Sequence, residues 1–116
     1  MHNFRKLYIW KDSMVLVTKI YKLLEGLPKD ERFNLISQIK RCAVSIPSNI
    51  AEGAGRDSNK DFNRFLAYSN GSSYELETQL LLCIELGLIS KELLTPILND
   101  LDILQKKIYK FKRTLV

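Results

Sequence analysis

Three short interruptions constrain this chain more than any other feature: Gly26-Leu27-Pro28, Gly53-Ala54-Gly55 and Gly87-Leu88-Ile89-Ser90. Gly and Pro end helices and turn chains. These places cut the 116 residues into four long segments whose apolar positions recur at helical spacing, so helices are expected near 10–25, 30–53, 58–86 and 91–113. With five Gly and three Pro in the whole chain, there is too little turn material for an all-β sandwich. In the fourth segment Leu94, Ile97, Leu101, Leu104, Ile108, Phe111 and Leu115 alternate spacings of 3 and 4, the seam of helices packed at shallow angles. Short connections make successive helices antiparallel neighbours. The expected architecture is all-α: one domain, residues 1–116, folded as an up-down-up-down antiparallel four-helix bundle.

The third segment opens with Ser58 and Asp61 in capping-box spacing and carries its core face on Phe62, Phe65, Ser69, Ser73, Leu76, Leu80 and Cys83. Gly87 is placed as a left-handed terminator, with Ser90 capping the next helix. In the first segment Trp10, Met14, Val17, Tyr21 and Leu24 form the expected core stripe, and Leu16, Ile20 and Leu23 widen the apolar arc to about half the cylinder. Leu80 to Ile84 and Leu86 are apolar in every direction around the third helix. A helix apolar all round is buried all round. Leu16, Ile20, Leu81 and Leu82 are therefore expected at a contact between copies of the chain; scattered surface leucines are the plainer alternative.

The second segment carries one narrow polar stripe, Asn34, Gln38, Arg41, Ser45, Ser48 and Glu52, on an otherwise apolar helix that includes Phe33. Pro47 interrupts it and frees the carbonyl of Ala43. Asn49 borders the stripe, in reach of that freed backbone. Ser45, Asn49 and Glu52 either repair the proline break or hold a ligand, since both roles need hydrogen-bonding side chains there.

The inventory leaves little for catalysis. The one histidine, His2, stands at a terminus expected to fray, and there is no triad, no di-iron Glu-x-x-His pair and no clustered metal ligands. Gly53-Ala54-Gly55-Arg56 lacks the spacing and Lys-Ser/Thr ending of a phosphate loop. No enzyme, cofactor or metal is expected. Cys42 and Cys83 lack a C-x-x-C partner and read as reduced, buried small hydrophobes of a cytoplasmic protein. Met1 to Lys6 lacks the apolar core of a signal peptide, and the longest apolar run, Leu80 to Ile84, cannot span a membrane.

Net charge is +5 and unevenly spread: +4 over residues 1–29, zero over 30–55, −2 over 56–89 and +3 over 90–116. Basic chain ends favour an anionic partner, RNA or DNA. Lys106, Lys110 and Arg113 lie on the helix face opposite the seam, flanked by Lys107 and Lys112; Arg5, Lys6 and Lys11 add charge from the other terminus, and Arg41 is a further candidate. A basic stripe is also ordinary solvated surface, and no base-stacking aromatic stands out.

Ser45-Ile46-Pro47-Ser48-Asn49-Ile50-Ala51-Glu52-Gly53, followed by Gly55-Arg56, resembles the signature of the four-helix-bundle family encoded in intervening sequences of bacterial 23S rRNA genes. Trp10, the Pro28/Glu31 start of the second helix, Gln38 with Arg41, Gly71-Ser72 and Glu75 to Leu80 match the same family. Cys42, where the family usually has alanine, and Tyr68-Ser69-Asn70 depart from it and touch packing more than identity. The resemblance implies a homopentamer of four-helix bundles. It also implies kinship with the accessory proteins of diversity-generating retroelements, basic pentamers that associate with reverse transcriptase and nucleic acid. Two functions follow: a non-enzymatic oligomeric bundle binding nucleic acid through basic surface, RNA first, or a protein-interaction scaffold with no nucleic-acid role.

Overall fold

The computed structural model describes residues 1–27 and 34–116. A short 3-10 turn, Phe4–Lys6, precedes four helices: α1 (Tyr8–Leu24), α2 (Leu35–Ala54), α3 (Asn59–Glu85) and α4 (Lys91–Thr114). No strand occurs among the described residues. Residues 30–33 of the expected second helix, with Phe33, and the Pro28/Glu31 motif lie outside the described residues.

The cross-helix pairs run in opposite registers. Asp12 meets Lys107 while Lys19 meets Asp100 across α1 and α4. Ile46 meets Ser69 while Cys42 meets Glu75 across α2 and α3. Glu77 meets Gln105 while Asn63 reaches Lys112 across α3 and α4. Each helix packs on its chain neighbours, α4 closes on α1, and the diagonal pairs stay apart. The fold is an up-down-up-down bundle of 43 × 24 × 20 Å.

Local chemistry sets the ends. Ser58 Oγ accepts the Asp61 N–H at 3.1 Å and Ser90 Oγ accepts that of Leu93 at 3.3 Å, each answering an orphan donor of a helix start. The other half of the capping box does not form, because the Asp61 carboxylate takes Arg64 at 2.9 Å. Gly87, at φ +70°, ends α3: its N–H reaches the Ile84 carbonyl and that of Leu88 the Cys83 carbonyl, the paired bonds of a Schellman stop.

The core faces of α3 and α4 are those the spacing predicts. Leu66 joins the stripe of α3 and Gln105 that of α4, while Phe111 and Leu115 are half-buried. In α1 the core face is turned by one position, about 100°. Ile9, Ser13, Leu16, Ile20 and Leu24 are buried, while Met14 and Tyr21 are exposed. The two stripes have matching spacings. The one containing a serine faces the core, and Ser13 Oγ donates to its own helix, to the Trp10 carbonyl at 2.7 Å, so its burial leaves no hydroxyl unsatisfied. This corrects the expected contact between copies: Leu16 (3% exposed) and Ile20 (0%) belong to the chain's own core. Leu81 and Leu82, each 44% exposed, and Leu86, 63% exposed, stay uncovered.

His2 does not fray. Its N–H donates to the Ala54 carbonyl at 2.8 Å, meeting an orphan acceptor at the end of α2, and its ring packs 4.9 Å from Phe62 and 6.3 Å from Phe111.

Candidate nucleic-acid interface

The Ser45–Gly53 signature builds the α2–α3 contact. Gly53 and Ala54 are buried where Phe62 and Phe65 of α3 cross over them. A Cβ at Gly53 would stand 2.6 Å from Phe65 Cβ and 2.9 Å from Phe62 Cδ1, so only glycine permits this approach. About two helical turns earlier in α2 the buried Ser69 Oγ donates to the Ile46 carbonyl at 2.9 Å, and Ser45 and Ser72 share a hydroxyl bond of 2.8 Å. Asn49, half-buried, donates its amide to the Ser45 carbonyl and to Ser45 Oγ, both at 2.9 Å, and not to the carbonyl of Ala43. Pro47 is buried inside a helix that continues through it. Glu52, expected with Ser45 and Asn49 to repair the proline break or hold a ligand, is exposed and paired with Arg56 at 3.5 Å. Ser45, the Ile46 carbonyl and Gly53 thus serve the helix pair, while Asn49 bonds within α2 and Glu52 faces solvent.

At the outer edge of this contact the Cys42 thiol donates to Glu75 Oε2 at 3.2 Å. Burial, then the hydrogen bond and charge of Glu75, hold its pKa above the ordinary thiol value. That setting makes a poor nucleophile. Cys83 is buried in the core. Among the described residues no group of His, Cys, Asp and Glu could hold a metal ion, and no helix is long and apolar enough to cross a membrane.

An even number of antiparallel helices returns the last helix to the end where the first began. The starts of α1 and α3 and the ends of α2 and α4 therefore share one end of the bundle. Residues 1–15, 50–66 and 104–116, which make up that end, hold eleven basic and four acidic side chains, +7. The rest of the chain carries seven basic and nine acidic, −2. The two basic termini, separate in sequence, are one surface.

Within it the expected cations differ. Lys106 is held by Asp102 and Lys107 by Asp12, each at 2.9 Å, so part of their charge is already answered. Arg56 and Arg64 lie over the Phe65 ring, at 4.5 and 5.5 Å, and pair with Glu52 and Asp61. Lys110 and Arg113 are exposed and have no ion-pair partner among the described residues; Lys112 is half-buried and likewise unpaired. Arg41 is not part of this surface. It is exposed on α2 in the opposite half of the bundle, near Cys42 and Glu75.

A groove of about 430 Å³ opens between the start of α1 and the end of α4, lined by Lys6, Leu7, Tyr8, Ile9, Lys107, Lys110, Phe111 and Thr114. Tyr8 is 76% exposed, with Lys11 Nζ 5.3 Å from its ring centroid. Tyr8 lies off every apolar stripe, so periodicity does not mark it. Its signal was its place between Lys6 and Lys11, at the junction of the basic terminus and the first helix.

The 23S rRNA-intervening sequence protein family matches residues 5–110. A crystal structure of a protein with unknown function, from the S23 ribosomal protein family, from Bacteroides thetaiotaomicron, superposes with a TM-score of 0.80 at 27% identity. The match covers 90% of this chain and 97% of that one. None of the curated proteins matches the chain. With nearly its whole length matched and the same bundle in a solved relative, the chain belongs to the 23S rRNA-intervening sequence protein family.

Proposed function

We propose that this protein is a non-enzymatic oligomeric bundle that binds RNA through the basic end where its termini meet. The observation that carries the reading is the segregation of charge, +7 at one end against −2 over the rest. A field of that kind steers and holds polyanions, and phosphate contacts need only charge at the right spacing. The resemblance to accessory proteins of diversity-generating retroelements and the homopentamer it implies belong to the same proposal. So does a contact between copies through the uncovered Leu81, Leu82 and Leu86, since contiguous exposed leucines mark interaction surfaces and repetition multiplies weak phosphate contacts.

The test replaces Lys6, Lys110 and Arg113 together with Gln, removing three unpaired cations without changing helix propensity much. RNA affinity should fall by about tenfold or more, and the slope of log K against log salt should flatten by roughly 2. Unchanged affinity and slope would show that RNA, if bound, is bound elsewhere, with Arg41 next in line.

A further inference from the structure

The groove at the basic end combines charge with an exposed aromatic ring. Tyr8 stands at the first position of α1, 76% exposed, adding almost nothing to the core. Single exposed aromatics are common and need no explanation; the surroundings of this one are not common. Leu7, Ile9 and Phe111 give the groove an apolar floor, and Lys6, Lys107 and Lys110 rim it. Lys11 lies against the ring itself. No acidic side chain lines the groove; Asp12, outside the lining, is held on Lys107. An apolar small molecule would have no use for the lysine rim, and a phosphate alone would have none for the ring and the floor.

We propose that an unpaired base of single-stranded RNA stacks on Tyr8 in this groove while Lys6, Lys11 and Lys110 meet its flanking phosphates. The proposal rests on the nucleic-acid reading above and narrows it to single strands. Unpaired bases offer their faces to aromatic side chains, whereas an A-form duplex keeps its bases stacked inside and shows a protein mostly backbone and 2′-hydroxyls. Stacking of this kind tolerates any base, so the groove selects strandedness more than sequence. The volume of about 430 Å³ accommodates a base together with its sugar.

Fluorescence anisotropy with two labelled probes tests it: an unstructured RNA of about 20 nucleotides and a duplex RNA of similar length. The wild type should prefer the single strand. Tyr8→Ala should weaken single-strand binding by about tenfold while leaving duplex binding and the salt slope unchanged. Tyr8→Phe, which keeps the ring, should bind like the wild type; Tyr8→Leu, which keeps bulk without a π-face, should bind like the alanine variant. Because Tyr8 is exposed, all three should melt like the wild type by circular dichroism. Wild-type single-strand affinity in both Tyr8→Ala and Tyr8→Leu would overturn the stacking site and leave the electrostatic reading intact. Failure of the wild type to bind either probe at low salt would overturn both.

Discussion

Replacing Gly53 with alanine should destabilise this protein, against the usual effect of that change in a helix. A helical Gly→Ala substitution ordinarily gains roughly 1 kcal/mol, because alanine loses less backbone freedom on folding. Here the added methyl would stand 2.6 Å from Phe65 Cβ, an atom fixed to the backbone of α3, and 2.9 Å from Phe62 Cδ1. Reaching ordinary contact at 3.4 Å requires α2 and α3 to part by about 0.8 Å. Parting strains the Ser69–Ile46 and Ser45–Ser72 bonds that cross the same interface. Overpacking costs ~1–3 kcal/mol, and the upper end applies where the obstructing atom cannot rotate away, leaving a net loss of about 2 kcal/mol. For a chain this size that lowers Tm by roughly 6–10 °C. Gly71 supplies the control: it is helical, exposed, and nothing lies within 4 Å of a Cβ built there, so Gly71→Ala should raise Tm slightly. Thermal and urea unfolding followed by circular dichroism, at one fixed protomer concentration, measure both. If Gly53→Ala matches or exceeds the wild type, the close α2–α3 approach is not what the signature glycine serves.

Two further outcomes follow from particular side chains. Leu82→Glu should leave the fold of one chain nearly unchanged, because Leu82 is 44% exposed, while a charge forced into a contact between copies costs several kcal/mol; sedimentation should show smaller species, and an unchanged profile removes Leu82 from any interface. Cys42 should alkylate more slowly than a free thiol at pH 8, because its raised pKa keeps it protonated there. Glu75→Gln removes the carboxylate charge, one of the causes that raise that pKa, so the pKa falls, the thiolate fraction rises and alkylation speeds up. An unchanged rate against pH would show that Glu75 does not act on the thiol.

Much of the fold was legible in the sequence because α4 and roughly the first five turns of α3 each present one apolar stripe against polar neighbours, and such a stripe has one way to face a core. The first helix is apolar over half its circumference, so two stripes with the same spacing competed. Ser13 made the buried stripe hard to see, because it looks polar in sequence and is satisfied by its own helix in the core. The signature residues were legible as a group but not in their roles: that Ser45 and the Ile46 carbonyl bond across to Ser72 and Ser69, and that Gly53 admits Phe65, depends on how α2 meets α3. The basic surface divides the same way. Its cations could be named from sequence, and their convergence follows from the even number of helices. The answering charges on Lys106 and Lys107 and the groove beside Tyr8 arise from tertiary packing of α1 on α4.

The most direct measurement is the salt dependence of RNA binding by the wild-type protein. Neutralising phosphates releases counterions, so log K should fall linearly with log salt, by roughly 0.7 for each phosphate met on a single strand. With Lys6, Lys110 and Arg113 unpaired at one end, the expected slope is at least about −2. A flat dependence, or no binding at low salt, would contradict the nucleic-acid reading and leave the bundle a protein-interaction scaffold.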